Sequence, residues 1–221
     1  MLAFRLSYIY GIVDTATLSG MTPEEAFSIL ADAGLNVIQL RHKGTSREFT
    51  EIAISLAKLA AEYDARFIVN DRPDIALISG AHGVHLGQTD LPPAEARKLL
   101  GEKAIVGYST HTIEQLRAAK SEPVDYIAFG PIFQSRTKQG HATPVGLELL
   151  TLAKQICGKI PLTAIGGINA RNIFAVLSAG ADSAAVISEI FGAPEPKKML
   201  KRLVKIASGV SKDRRFLNTK Y

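Results

Sequence analysis

Short apolar runs of strand length alternate along the chain with longer segments whose apolar residues recur every three to four positions. These are the two periods of a β-strand and of a helix packed on one face. The first run, Leu6 to Val13, ends at Asp14, and Thr22-Pro23-Glu24-Glu25 then reads as a capping box with proline at the first helical position. Ala26, Ile29 and Leu30 give that helix its apolar face, Gly34 closes it, and Asn36 to Leu40 is the second strand. The unit then repeats. Ser46 is expected to cap a helix with apolar positions at Ile52, Ile54, Leu56, Leu59 and Ala60, leading to a third strand at Phe67-Ile68-Val69. Pro73 opens a helix that Gly80 ends, and Gly83 to Leu86 is the fourth strand. Pro92 and Pro93 start a helix reaching Leu100, Ala104 to Val106 is strand five, and Thr112 caps the helix after it. Tyr126 to Phe129 is strand six, followed by a polar loop from Gly130 to Val145 and a helix through Leu147, Leu150 and Ile156. Ile160 to Ile165 is strand seven, Asn169 caps the next helix, Ala184 to Ile187 is strand eight, and Pro196 to Ile206 forms a basic amphipathic helix.

Three of the helix ends read alike: Asp32-Ala33-Gly34, Ile78-Ser79-Gly80 and Ser178-Ala179-Gly180 each precede an apolar run. A left-handed glycine stop before a strand is the recurring αβ junction of parallel architectures. Eight such units within 221 residues predict one α/β domain over residues 1–221, a single (β/α)8 TIM barrel with a basic C-terminal helix and tail. An open doubly wound sheet is the alternative, but no GxGxxG turn and no change of composition marks a second half.

Composition narrows the function classes. The chain is 47% hydrophobic and 21% charged, ordinary globular material, and contains no apolar run long enough to cross a bilayer. The N-terminus enters a strand pattern without a small-residue cleavage site, so a cytoplasmic location is the expectation, with no membrane partner. The lone cysteine, Cys157, excludes an internal disulfide and reads as a small buried residue. The net charge of +5 comes from Lys197 through Lys220, the pattern of a solvated tail. With 7% aromatic residues and no nucleic-acid module, a nucleic-acid partner is not expected. The balance suits anionic small substrates, and association of copies of the chain stays open.

Chemistry in such a barrel sits where the strands end. Asp71 and Asp90 follow strands three and four, and two acids at one rim suit a hard, oxygen-preferring cation such as Mg²⁺ with a phosphate completing its shell; the competing reading is a pair of helix caps. Arg41 and Lys43 alternate after strand two, a spacing that can hold one pyrophosphate. Gly166-Gly167 after strand seven, with Ile187-Ser188 after strand eight, matches a phosphate cup. His85, inside a strand, reads as a satisfied core or rim histidine, whereas His111, beyond Ser109, could exchange protons.

The segments QLRHK, FIVNDRPDIAL, GVHLGQTDLP, GYSTHT, FGPIFQSRTK, AIGGI and GADSAAVISEI resemble those of thiamine phosphate synthases, in the same order and across about Leu6 to Ile190. The resemblance implies a (β/α)8 barrel that joins hydroxymethylpyrimidine pyrophosphate to hydroxyethylthiazole phosphate, with Mg²⁺, giving thiamine monophosphate and pyrophosphate. It implies that Asp71 and Asp90 hold the metal, and that Arg41, Lys43, Ser109 and Lys138 grip the pyrophosphate. By the same resemblance Gln39 and Asn70 hold the pyrimidine, Ser135 and Thr137 lie near the thiazole, and Gly167, Ile187 and Ser188 take its phosphate. Arg41, Ser109, His111 and Lys138 are the candidate catalytic residues. The chain departs from the family at His42, between Arg41 and Lys43, at Gln134-Ser135 and at Gly140. Thiazole tautomerases share the barrel and use a histidine for proton transfer, and a non-catalytic thiamine-precursor binding protein is a third reading. The presence of both acids and Lys138 favours the synthase.

Overall fold

The computed structural model describes residues 6–134 and 143–218, with side chains to position 210. Eight strands, β1 (Ile9–Asp14), β2 (Val37–Arg41), β3 (Arg66–Asn70), β4 (Gly83–Leu86), β5 (Ile105–Thr110), β6 (Tyr126–Phe129), β7 (Leu162–Ala164) and β8 (Ser183–Val186), close a parallel barrel in sequence order. β8 pairs with β1, Tyr10 standing opposite Ala185, and β1 pairs with β2 so that Asp14 stands opposite Arg41. The helices between them are α1 (Pro23–Asp32), α2 (Ser46–Glu62), α3 (Pro73–Ser79), α4 (Pro93–Leu100), α5 (Ile113–Ala119), α6 (Gly146–Cys157) and α7 (Ile173–Ser178). After β8 come a short α8 (Ser188–Phe191) and a long α9 (Pro196–Asn218). The expected TIM barrel is therefore observed.

Strand alternation splits the apolar residues into two cores. Outward residues such as Ile38, Leu40, Phe67, Val69 and Val84 pack against the helices, whereas Tyr10, Ile12, Val37, Ile68, Ile105, Tyr126 and Ala185 fill the barrel. Thr22 forms the expected capping box with Glu25. At α2 the cap is Thr45 and not Ser46, because the reciprocal acid, Glu48, stands three residues after Thr45; each backbone N–H is taken by the other side chain, at 3.0 and 3.3 Å. The inward face of α2 is Phe49, Ala53, Leu56 and Ala60, while Ile54 is exposed. Asn169 does not cap α7 either. Its Oδ1 accepts from Arg171 N and Asn172 Oδ1 accepts from Asn169 N, so residues 169–172 make a side-chain-bonded turn and the helix starts at Ile173. Gly34, Gly80 and Gly180 all adopt left-handed φ values, +80°, +73° and +112°, as the αβ junctions require.

The bottom of the barrel is closed by a device that recurs at every even strand. The residue just before β2, β4, β6 or β8 accepts a backbone N–H at the start of the preceding odd strand: Asn36 from Ser7 at 3.0 Å, His82 from Phe67 at 3.1 Å, Asp125 from Val106 at 2.7 Å and Asp182 from Leu162 at 2.8 Å. Arg97 on α4 and Lys154 on α6 neutralise the two aspartates. His82 fills this role through Nδ1, so its ring must be neutral there. Burial first, then the Arg66 charge, holds its pKa below the ordinary 6.5. An unfolded chain takes up this proton as pH falls through about 6.5 while the folded chain resists, so stability present at neutral pH is lost on acidification toward the lower folded value. Denaturant midpoints should fall between about pH 7.5 and 5.5, and His82→Asn, which keeps an acceptor but cannot titrate, should flatten that slope. An unchanged slope in the variant would remove His82 as its source.

Candidate active site at the carboxyl ends of the strands

Asp14 ends β1 almost fully buried, and its Oδ2 accepts from Arg41 Nη1 at 2.5 Å across the β1–β2 pair, with side chains 2% and 18% exposed. Asp14 Oδ1 takes the Ala16 N–H at 3.1 Å, starting the 3-10 turn Thr15–Thr17. Arg41 is thus held by a carboxylate from below, while Lys43 lies exposed two residues on. His42, between them, bonds Thr15 Oγ1 through Nδ1 at 2.8 Å and packs on Phe49.

β3 and β4 bring the two candidate metal acids to the same rim, where Asn70 is in register with His85. Asp71 has φ +64°, left-handed for a non-glycine residue, and its N–H donates to the His85 carbonyl at 2.8 Å. That backbone turn carries its carboxylate off the strand line to an exposed position. Asp90 is half-buried, and its Oδ2 accepts the Gly87 N–H at 2.6 Å. Its charge reaches Tyr108 on β5, whose phenol is pushed up by burial, then by Glu122 and Asp90. Neither acid caps a helix: α3 has Arg72 and α4 has Pro92 at that position. Among the described residues no three or more His, Cys, Asp or Glu side chains gather as a metal cluster.

β5 runs beyond the expected Val106 to Thr110 and delivers Ser109 to the rim. His85 is a satisfied interior histidine, as expected, with Nε2 2.8 Å from Ser109 Oγ and Nδ1 2.9 Å from the Tyr126 hydroxyl. Gln88 Nε2 donates to the Ser109 carbonyl at 2.6 Å. His111 Nδ1 donates to the Gly130 carbonyl at 2.6 Å, which leaves only Nε2 for proton exchange and ties β5 to the loop after β6. Gly166 and Gly167, at φ +101° and +64°, close the rim beside Pro131 to Gln134; a Cβ on either would collide with that segment. Asn169 and Asn172 amides hold the Gly167 carbonyl, and Glu189 on α8 takes the Ala170 N–H at 3.2 Å, joining the ends of β7 and β8. Ile187 packs on the interior core and Ser188 is exposed beside it.

A sequence profile described as Thiamine monophosphate synthase matches residues 9–190, every strand and rim segment above. The chain belongs to this family. Similar to it are proteins named thiamine-phosphate synthase from Caldicellulosiruptor bescii, 40% identical with 92% of this chain and 93% of that one covered, and from Pelotomaculum thermopropionicum, 43% identical with 90% and 92% covered. The structure of thiamine phosphate pyrophosphorylase from Pyrococcus furiosus superposes with a TM-score of 0.82 at 35% identity, over 92% of this chain and 96% of that one.

For this thiamine monophosphate synthase family member, the structure brings Gln39, Arg41, Asn70, Asp71, Asp90, Ser109, Gly167, Ile187 and Ser188 to one end of the barrel. Ser135, Thr137 and Lys138 lie outside the described residues. Cys157 is buried on α6, as expected, and its thiol is pushed up to about 11, chiefly by burial. Among the described residues no helix is long and apolar enough to cross a membrane. Sequence reasoning missed Asp14, Tyr10 and Tyr126. A polar or phenolic residue on the inward parity of an apolar strand was the available signal for all three.

Proposed function

We propose that the chain transfers the hydroxymethylpyrimidine group from its pyrophosphate to hydroxyethylthiazole phosphate. The methylene C–O bond breaks with its electron pair leaving on pyrophosphate, and the thiazole nitrogen lone pair forms the new C–N bond. An aminopyrimidine stabilises the cation between these steps, so the protein needs no nucleophile; it must position the partners and neutralise charge. The observation that carries this reading is the placing of Arg41, Asp71, Asp90 and Ser109 on four consecutive strand ends of one rim, in a chain of this family. Arg41, Lys43, Ser109 and Lys138 would hold the pyrophosphate, Gln39 and Asn70 the pyrimidine, and Ser135 with Thr137 the thiazole. Gly167, Ile187 and Ser188 would take the thiazole phosphate.

Asp71 and Asp90 fit Mg²⁺, because both are oxygen donors on adjacent strand ends and neither stands at the N-cap position of α3 or α4. The ion when bound supplies charge neutralisation for the departing pyrophosphate.

A tautomerase differs in where its rate resides. For the synthase, Lys138→Ala should cost on the order of a hundredfold in rate, as oxyanion-stabilising groups do, with His111→Asn milder. For a tautomerase the histidine would carry roughly 10²–10⁴-fold as the acid–base group. Thiamine phosphate formation and thiazole isomerisation are measured for both variants; a dead His111 variant beside a near-normal Lys138 variant overturns the assignment.

A further inference from the structure

Five side chains inside the barrel form one continuous hydrogen-bonded line from β2 to β5. Gln39 Nε2 donates to the Tyr10 hydroxyl at 3.2 Å, and the Tyr10 and Tyr126 hydroxyls meet at 2.6 Å. Tyr126 then reaches His85 Nδ1 at 2.9 Å, and His85 Nε2 reaches Ser109 Oγ at 2.8 Å. Tyr10, Gln39, His85 and Tyr126 are all buried. Gly107 makes the crossing possible, since a Cβ there would strike the Tyr126 ring and His85 Nδ1. The line joins Gln39 and Ser109, two residues of the proposed site, through three that the reaction itself does not call on.

The line has a direction. Burial pushes both phenols above their ordinary range, so each keeps its single proton. Gln39 gives an N–H to Tyr10, and the proton of Tyr10 then finds its acceptor in Tyr126; the reverse order would leave a buried O–H of Tyr10 without this acceptor. A line running this way has Tyr126 donating to His85 Nδ1, with the ring proton on Nε2 and directed to Ser109 Oγ, atoms that stand 2.9 and 2.8 Å apart. Ser109, having accepted, offers its own O–H to the rim. Gln39, having spent an N–H, offers its carbonyl oxygen on the other side of the amide.

We propose that Tyr10, Tyr126 and His85 are positioning residues that set the polarity of both ends together, Gln39 as acceptor and Ser109 as donor. The site thereby selects a substrate with an N–H-bearing ring edge at one end and an anionic oxygen at the other. Reversing any single bond reverses the line, and would turn an amide N–H toward the ring amine and a lone pair toward the anion. The inference rests on the synthase reading, whose pyrimidine pyrophosphate has both features.

Two measurements test it. In the unaltered protein, ¹⁵N NMR of labelled histidine, with the His85 signals assigned by their loss in His85→Asn, should show the proton on Nε2; a proton on Nδ1 overturns the proposal. Tyr126→Phe keeps the ring and removes the central hydroxyl. It should abolish that tautomer preference and raise KM for the pyrimidine pyrophosphate by about tenfold, with KM for the thiazole phosphate unchanged. Discrimination against an analogue with a ring carbonyl in place of the amino group should fall by about the same factor. Tyr10→Phe cuts only the Gln39 end: discrimination falls while His85 keeps its tautomer. A purely structural role would lower the melting temperature and move both KM values alike. Unchanged discrimination in both variants overturns the proposal, and if Tyr126→Phe does not fold, Tyr10→Phe and the unaltered protein decide. Should the protein form no thiamine phosphate at all, the synthase reading fails, while the NMR result still judges the line.

Discussion

Replacing both Asp71 and Asp90 by asparagine is expected to abolish thiamine phosphate formation, and a chelator is expected to do the same to the unaltered protein. Asparagine isolates the charge. It tolerates the left-handed φ of +64° at position 71, where alanine would add about 1–2 kcal/mol of backbone strain, and its carbonyl can still accept the Gly87 N–H at position 90. With the carboxylates gone, the proposed cation site loses two oxygen donors and two negative charges. Metal stabilisation of a departing phosphoryl oxygen is worth several kcal/mol, so the rate should fall on the order of a thousandfold or more. Calorimetry with pyrophosphate gives a second readout that needs no turnover: binding should strengthen markedly with Mg²⁺ in the unaltered protein and lose that dependence in the double variant. Full activity of the double variant, or pyrophosphate binding indifferent to Mg²⁺, would sink the metal assignment.

Arg41→Ala should damage both catalysis and stability, and the two losses can be separated. The guanidinium faces a pyrophosphate in the proposed site, so its removal should cost roughly a hundredfold or more in kcat/KM. It also strands Asp14, which is 2% exposed, without its 2.5 Å partner. Breaking a buried pair from one side costs about 3–5 kcal/mol, and the 18% exposure of Arg41 puts this case at the low end. Adding Asp14→Ala should therefore recover much of the melting temperature while leaving activity low. Thermal melts and steady-state kinetics on the two single variants and the double variant decide it. If the double variant regains activity along with stability, Arg41 serves the fold and not the substrate.

Much of the site was legible because strand ends are marked locally. The runs ending at Asn70-Asp71 and at Gly87 placed both acids at one rim from hydrophobic pattern and turn chemistry alone, and β4 and β6 were read with the bounds they have. Strand five was read too short, since Gly107 and Ser109 break its apolar run; they sit inside the barrel, where small or polar residues make room for Tyr126 and His85. The short α8 was not read from the sequence, because four residues carry too little periodicity to show.

By itself the sequence determined the alternation of strand and helix, the capping box at Thr22 and the glycine junctions, all of which depend on contacts between near neighbours in the chain, and the count of eight units that pointed to a barrel. Only the tertiary structure decided which inward residues meet. Tyr10 and Tyr126 are separated by 116 residues and touch because the closed barrel brings β1 and β6 across its interior. Asp14 finds Arg41, and each residue ahead of an even strand finds an N–H within two residues of the start of the odd strand before it, through strand register. Periodicity says which way a side chain faces, but its partner is chosen by register and closure, which no local stretch of sequence contains.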